Sequence, residues 1–450
     1  MIEAARKPSG VVAAKYGLWA AAVLLLAGCP GPAQETKSPP SELKFTLIFS
    51  RHGVRSPIWT NEQLDQYSAE PWPKWDVPPG YLTPHGEKLM RLFGAYDRAY
   101  FVRAGLLSAN GCSEAGQVFF SADTDERTIH TARALAAGML PGCPVVVHSQ
   151  LKWTHDALFS PFEAGIAPPD RRLAVAATLG RIGNNPAALE DLYRPALETL
   201  ERVLLGCPAG TPCPPGGKAS KKSLFREPTS IAPGQGDHLA VMNGPLQTAG
   251  TISESFRLEY TNGMAGRNLG WGRVDESSLR ELLSLHAAQA NLMWQTPALA
   301  RPLASNLLSH ILKTMEQAVR GRAVPGALGK PGDRVAVVVG HDTNISNMAG
   351  ALGISWLIQG LPWSDTPPGG ALVFEVWREP SSGEYSVRTY FVCQTLDQMR
   401  RALPLTLDSP PARAPIFVPA CGTTREGFAC DWVTFRSAVE GAIEPAFVKP

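Results

Sequence analysis

The chain lacks the short signatures on which several large enzyme classes depend. It contains no Gly-x-Ser-x-Gly elbow, no His-Glu-x-x-His pair and no Gly-x-x-x-x-Gly-Lys-Ser/Thr loop, so serine-hydrolase, zinc-protease and P-loop chemistry have nothing to rest on. None of its eight cysteines stands in a Cys-x-x-Cys pair, which argues against a structural zinc site. Charge of one sign is also scarce. The net charge is +2 with no long basic run, which argues against nucleic acid as a partner. The apolar stretch from Leu18 to Ala27 is too short to cross a bilayer as a helix. What is plentiful is glycine and proline, 42 and 40 residues, implying long ordered loops, together with a 44% apolar fraction that supplies a substantial core. A length of 450 residues fits one large domain with an insertion, or two to three domains.

The N-terminus reads as an export signal. Arg6, Lys7 and Lys15 precede the short apolar stretch, which suits a signal h-region. It ends in Leu26-Ala27-Gly28-Cys29, which resembles the lipobox of bacterial lipoproteins; that resemblance implies a lipidated Cys29 and attachment to a membrane through the lipid. The Pro-rich residues 30–42 then read as a tether. Export implies an oxidising compartment in which cysteines pair. Cys207–Cys213 and Cys421–Cys430 are natural short-range pairs. Cys112–Cys143 follows from reach: about six strand residues at ~3.3 Å run out, and about fifteen helical residues at ~1.5 Å return a similar length. Closing that loop contributes about 3–4 kcal/mol. Cys393 is left as a buried free thiol.

Three apolar runs read as strands, and each ends in polar residues. Phe45–Phe49 leads into Arg51-His52-Gly53-Val54-Arg55, a strand over 117–122 into Asp123-Thr124-Asp125-Glu126-Arg127-Thr128, and Arg334–Val339 into Gly340-His341-Asp342-Thr343-Asn344. Unalternating runs suit strands buried on both faces of a parallel sheet. In open α/β sheets ligands bind beyond the carboxyl ends of such strands, so three ends can converge on one crevice. Two arginines flanking a histidine offer forked donors for phosphate oxygens, with a nucleophile between them. The expected fold is α/β: a largely parallel central sheet flanked by helices, formed by residues 43–153 and 301–450. Between them, residues 154–300 form a mainly helical insertion, with apolar stripes such as Leu279, Leu282, Leu283 and Met293.

With these segments in view the chain resembles the histidine acid phosphatases, in their bacterial 4-phytase and glucose-1-phosphatase branch, whose fold is phosphoglycerate mutase-like. Arg51-His52-Gly53-Val54-Arg55 and Gly340-His341-Asp342-Thr343-Asn344 match the two signatures, and Gly270-Trp271-Gly272-Arg273, Leu283-Ser284-Leu285-His286 and Thr366-Pro367-Pro368-Gly369-Gly370 resemble further stretches. The resemblance implies His52 as the nucleophile that becomes phosphohistidine and Asp342 as the acid that protonates the leaving alkoxide. It implies Arg51, Arg55, Arg127 and His341 as binders of the phosphoryl oxygens, and it requires no cofactor or metal. It places Glu254 and His286 on the wall facing the substrate's body and Arg301 within reach of a second phosphate. The three disulfide pairs fit the branch, and the expected partner is a small phosphate ester acted on by a monomer.

Which ester is left open by the residues themselves. Asp125-Glu126-Arg127-Thr128 and His341-Asp342-Thr343-Asn344 resemble the phytase form of these motifs. Ile58-Trp59, however, stand where well-known phytases have Thr-Lys, which removes a cation and adds an aromatic wall. Phytate is favoured, with glucose 1-phosphate or a broad range of sugar phosphates as the alternative. A cytosolic phosphotransferase of the phosphoglycerate mutase kind conflicts with the export signal, and a silent phosphate-ester-binding lipoprotein would not need both His52 and Asp342.

Overall fold

The fold is described from a computed structural model and covers residues 41–109, 111–152, 154–207 and 221–449. Cys29, the export segment, nearly all of the tether and Cys213 lie outside the described residues. The strands are β1 (Glu42–Arg51), β2 (Val118–Ala122), β3 (Val147–His148), β4 (Ser230–Pro233), β5 (Ala240–Asn243), β6 (Val335–Gly340), β7 (Ala371–Arg378), β8 (Tyr385–Cys393), β9 (Ala412–Ile416) and β10 (Cys430–Asp431). The helices are α1 (Asn61–Leu64), α2 (Pro84–Arg103), α3 (Glu126–Met139), α4 (Arg171–Arg181), α5 (Pro186–Leu205), α6 (Pro245–Thr261), α7 (Glu276–Trp294), α8 (Pro297–Arg320), α9 (Asp342–Leu352), α10 (Leu396–Arg401) and α11 (Trp432–Ala442).

Eight strands form one mixed sheet in the order β10-β8-β7-β1-β6-β2-β3, with β9 on β8. Its site-bearing part is parallel: β1 pairs with β6, β6 with β2 and β2 with β3. Strands β7 to β10 extend the other side antiparallel. The central strands read as continuous apolar runs because both faces are covered; every residue of β6 is buried, as are the last seven of β1. Helices α2 and α3 cross closely enough that a Cβ on Gly94 would lie 2.1 Å from the Leu135 carbonyl oxygen, and one on Gly138 2.0 Å from that of Arg91. Glycine is therefore required at both contact points.

Register places the chemistry. Arg51 is aligned with Gly340, and Ala122 with Val339, so β1 and β6 end level and β2 ends one residue short of them. The next residue on each strand is His52, Asp123 and His341. Backbone bonds hold the first two there: His52 N–H donates to Gly340 O at 3.0 Å and Asp123 N–H to Val339 O at 3.0 Å.

The stretch 154–300 is mainly helical but also carries a hairpin, β4–β5, that the Pro/Gly-rich sequence did not announce. Helix α8 runs unbroken through residue 300, so the expected boundary falls inside a helix. The described residues cluster as one compact unit. Disulfides join Cys112 to Cys143 and Cys421 to Cys430, with Cα–Cα distances of 5.4 and 5.3 Å. Cys207 is disulfide-bonded, its expected partner Cys213 lying outside the described residues, and Cys393 is a buried free thiol. Among the described residues no helix is long and apolar enough to cross a membrane.

Candidate active site

The three neighbouring strand ends open into a cleft of about 690 Å³, with His52, Arg55, Arg127, Glu254, His286, His341 and Asp342 in its lining. His52 is 2% exposed. Its Nδ1 lies 2.9 Å from the Gly53 carbonyl oxygen, and a carbonyl only accepts. Nδ1 therefore carries the proton and Nε2 keeps its lone pair. Burial, then the positive charges of Arg127, Arg51 and Arg55, hold the ring's pKa well below the ordinary imidazole value. His52 stays neutral, and so nucleophilic, into acid conditions. The Gly53 N–H donates to Thr131 Oγ1 at 2.9 Å, and a Cβ on Gly53 would come within 2.8 Å of Met90, so this turn is tightly held.

Around the imidazole stand cations with spare donors. Arg51 is fully buried and ties its guanidinium to Thr366 O, to Glu254 Oε1 at 2.6 Å and to Asp342 Oδ2 at 3.0 Å. Arg55 donates to Ser56 O at 2.9 Å; burial and the neighbouring Arg127 and Arg51 push its pKa down to about 10. Arg127 occupies the first turn of α3, paired with Asp125 at 2.5 Å. The Nε groups of all three arginines are buried without a protein partner, as are both ring nitrogens of His286. Arginine donors left without a protein partner beside a cleft are suited to an anion.

His341 is the N-cap of α9. Its N–H donates to Asn344 Oδ1 at 3.0 Å and its Nε2–H to Asp123 Oδ2 at 2.7 Å; its ring lies 5.6 Å from that of His52. Burial works to raise the Asp123 pKa, but the bond and charge from His341 outweigh it and hold the carboxyl low. Asp123, Asp125 and His341 are the one group among the described residues with metal-ligand spacing, their ligand atoms within 4.8 Å of one another. The hydrogen bond from His341 to Asp123 already accounts for that proximity. Asp342 follows at the first turn of α9, its Oδ1 accepting from Thr343 N–H at 2.9 Å. Burial alone would raise its pKa; Arg51, then His286, outweigh that and keep it below the usual carboxyl value.

Behind the cleft lies a chain of buried charges that the sequence did not disclose. Glu254 links Arg51 to Arg257, whose NH1 reaches both Asp365 oxygens at 2.8 and 2.7 Å. Burial opposes every ionisation here. Even so, Arg257 and Arg51 hold Glu254 well below its ordinary pKa, and Asp365 and Glu254 raise that of Arg257. The local signal was the i,i+3 spacing of Glu254 and Arg257 in an otherwise apolar helix; the partner in Asp365, 108 residues on, has none. Replacing Arg257 by methionine leaves the buried Asp365 without its cation and Glu254 with Arg51 alone, with an expected loss of about 3–5 kcal/mol in urea unfolding. The pH dependence also weakens. In the wild type the low Glu254 pKa gives stability that is present above its unfolded value and lost as pH falls. In the variant the stranded Asp365 works the other way, because a buried carboxylate without a cation is relieved by protonation as pH falls. A loss under about 1 kcal/mol with an unchanged pH trend would show the chain to be dispensable.

The remaining expectations divide. Glu254 and His286 sit in the wall, 3.9 Å apart. Arg301 does not reach the cleft: its guanidinium turns to Gly441 O at 2.9 Å and to Glu444, in a separate hollow against α11. His238, which no motif singled out, lines the cleft beside β5. The loop Thr366-Pro367-Pro368-Gly369-Gly370 clamps the first signature, with Arg51 N–H donating to Gly370 O and Gly369 N–H to His52 O, both at 2.9 Å.

A buried neutral histidine at the end of a parallel strand, ringed by arginines and faced by His-Asp on a neighbouring strand, defines the class of protein. Residues 42–164 and 262–392 match the family model of the histidine phosphatase superfamily (branch 2), and the chain belongs to that family. It is 35% identical over 431 residues to phytase AppA of Escherichia coli, covering 94% of this chain and 97% of that protein. It is 29% identical to a glucose-1-phosphatase of Salmonella typhimurium, covering 86% and 89%. A solved Hafnia alvei phytase in complex with tartrate superposes with a TM-score of 0.82 at 34% identity, covering 91% of this chain and 99% of that one.

Proposed function

We propose that this histidine acid phosphatase hydrolyses phosphate monoesters through a phosphohistidine intermediate, with phytate (myo-inositol hexakisphosphate) as a substrate. The observation that carries the reading is the His52 tautomer: Nδ1–H is tied to Gly53 O, which leaves the Nε2 lone pair as nucleophile in a cleft lined by Arg55, Arg127 and His341. In the first step Nε2 bonds to phosphorus and the ester P–O bond breaks. The leaving alkoxide takes the proton of Asp342, while Arg51, Arg55, Arg127 and His341 bind the phosphoryl oxygens. In the second step water attacks phosphorus, its proton passes to Asp342, the P–N bond breaks and phosphate leaves.

Phytate is favoured by the similarity to phytase AppA over nearly the whole chain. Glucose 1-phosphate is the second reading, favoured by the Salmonella relative and by Ile58 and Trp59 at the cleft mouth. Phosphate release from the two esters side by side at about pH 4–5, with His52→Ala as the blank, separates them. No release above the blank from either would leave a phosphate-ester binder.

The lipoprotein reading is part of the same proposal, and the disulfides support export. Cys29→Ser is expected to move the protein from the membrane fraction to the soluble fraction. Unchanged partitioning would refute the lipid anchor.

A further inference from the structure

Arg51 is one member of a closed ring of contacts. Its guanidinium bonds Thr366 O, Glu254 Oε1 at 2.6 Å and Asp342 Oδ2 at 3.0 Å. The other oxygen of Glu254 accepts from Arg257 Nε at 2.6 Å, and Arg257 NH1 reaches both oxygens of Asp365 at 2.8 and 2.7 Å. Asp365 is joined by its peptide bond to Thr366, whose carbonyl meets Arg51. The path therefore returns to where it began: Arg51, Glu254, Arg257, Asp365, Thr366, Arg51. The loop that closes it is fixed from outside as well. Trp356 Nε1–H donates to Asp365 O at 2.8 Å, and the buried Ser364, directly before Asp365, is held at φ 53°. A left-handed conformation at a non-glycine residue persists where its surroundings dictate it.

Arg257 and Asp365 are buried behind the cleft wall and do not belong to its lining. Neither is placed to touch a phosphoryl group. Their charges nevertheless continue those of the cradle in alternation: Asp342 negative, Arg51 positive, Glu254 negative, Arg257 positive, Asp365 negative. Buried charges are screened far less than exposed ones, so each acts on the next. Glu254 is shared between two arginines. The more firmly Arg257 holds Glu254, the less of the Arg51 charge Glu254 neutralises. The more firmly Asp365 holds Arg257, the less of the Arg257 charge reaches Glu254.

We infer that Arg257 and Asp365 are positioning residues for the cradle: through their hold on Glu254 they set how much of the Arg51 charge is left for the phosphoryl group. The inference rests on the phosphomonoesterase reading and extends it to two residues that lie outside the cleft.

Two variants test it, because they are expected to act in opposite directions. Asp365→Asn leaves Arg257 to Glu254 alone, which frees Arg51. Arg257→Met combined with Asp365→Asn leaves Glu254 on Arg51 alone. Arg257→Met by itself is unsuitable because it strands Asp365, whereas in the double variant position 365 carries no charge and Glu254 keeps Arg51. The measurement is titration calorimetry with inorganic phosphate at about pH 5, where the ligand is a monoanion. The Kd is expected to fall roughly threefold in Asp365→Asn and to rise roughly tenfold in the double variant, the scale of coupling within one buried network. A merely structural role would weaken binding in both. Shifts in the same direction, or no shift in either, would overturn the inference. If the double variant does not fold, Asp365→Asn decides alone: tighter phosphate supports the ring, and equal or weaker phosphate sinks it. Calorimetry needs no turnover, so the two readings fail separately. Opposite shifts support the ring even if His52 proves not to be the nucleophile. Shifts in the same direction remove it even if phosphate is trapped on His52.

Discussion

His52→Ala is expected to remove at least about four orders of magnitude from kcat/KM on every phosphate ester, whatever its leaving group. The proposed covalent route runs through Nε2 of His52, which keeps its lone pair because Nδ1–H is tied to Gly53 O, whereas the nearby His341 ring has its Nε2 committed to Asp123. The fold should survive the change. The His52 backbone N–H and C=O, bonded to Gly340 and Gly369, are untouched by it, and the side chain's one bond is to the adjacent Gly53. Activity and thermal unfolding should therefore separate, with turnover lost and the unfolding midpoint shifted by no more than a few degrees. Wild-type enzyme quenched during turnover should carry phosphate on His52. Turnover retained within tenfold, or label found on another residue, would remove the phosphohistidine scheme.

The second large effect belongs to Asp342, and it depends on the leaving group. Asp342→Asn keeps the size and the bond from Thr343 N–H but cannot give up a proton. For an alkyl or sugar ester, whose alkoxide is a poor leaving group, kcat/KM is expected to fall about 10²–10⁴-fold. For nitrophenyl phosphate, which leaves without protonation, kcat/KM should fall less than about tenfold; the second step should slow, so that a burst of nitrophenol appears. Equal losses in kcat/KM on both would argue against Asp342 as the acid.

The pH dependence follows from the same carboxyl. Arg51 and His286 keep Asp342 below its ordinary pKa in the free site, so it arrives ionised at mild acid pH. A dianionic phosphoryl group seated against Arg51 and Arg55 opposes those charges and raises the Asp342 pKa. The proton it then needs is supplied when the ester binds as its monoanion. The alkaline limb of kcat/KM should therefore track the second ionisation of the ester, about pH 6 for ordinary phosphate esters, and move with it when a more acidic ester is used. On the acid side, the low His52 pKa means that the nucleophile survives well below pH 6.5, the usual imidazole value. A limb that stays put when the ester's ionisation is changed would assign it to a group on the protein.

Much of this was legible along the chain because the informative signals are local. The strands over 45–49 and 335–339 were readable because burial on both faces leaves an unalternating apolar run, and their ends because Arg-His and His-Asp interrupt it abruptly. The Cys112–Cys143 pair was readable because a strand and a helix of similar reach must bring the chain back. The hairpin β4–β5 was not readable: in a stretch rich in Pro and Gly, local propensity says only loop, and pairing between Ser230–Pro233 and Ala240–Asn243 decides otherwise. Arg301 failed for a related reason. The resemblance implied a reach toward a second phosphate, but the direction of a long side chain on α8 is set by what packs beside it, and Gly441 and Glu444 draw the guanidinium away.

The sequence alone determined the strands and the candidate reacting residues at their ends, because a motif of adjacent residues keeps its chemistry wherever the fold carries it. Only the tertiary structure decided which nitrogen of His52 is free, which carboxylate steadies His341, and that Arg51, Glu254, Arg257 and Asp365 form one buried chain. The first depends on the side-chain rotamer against the adjacent Gly53 and the others on distances between residues far apart in the chain, and Coulomb and hydrogen-bond energies in a buried site change by kilocalories over an ångström.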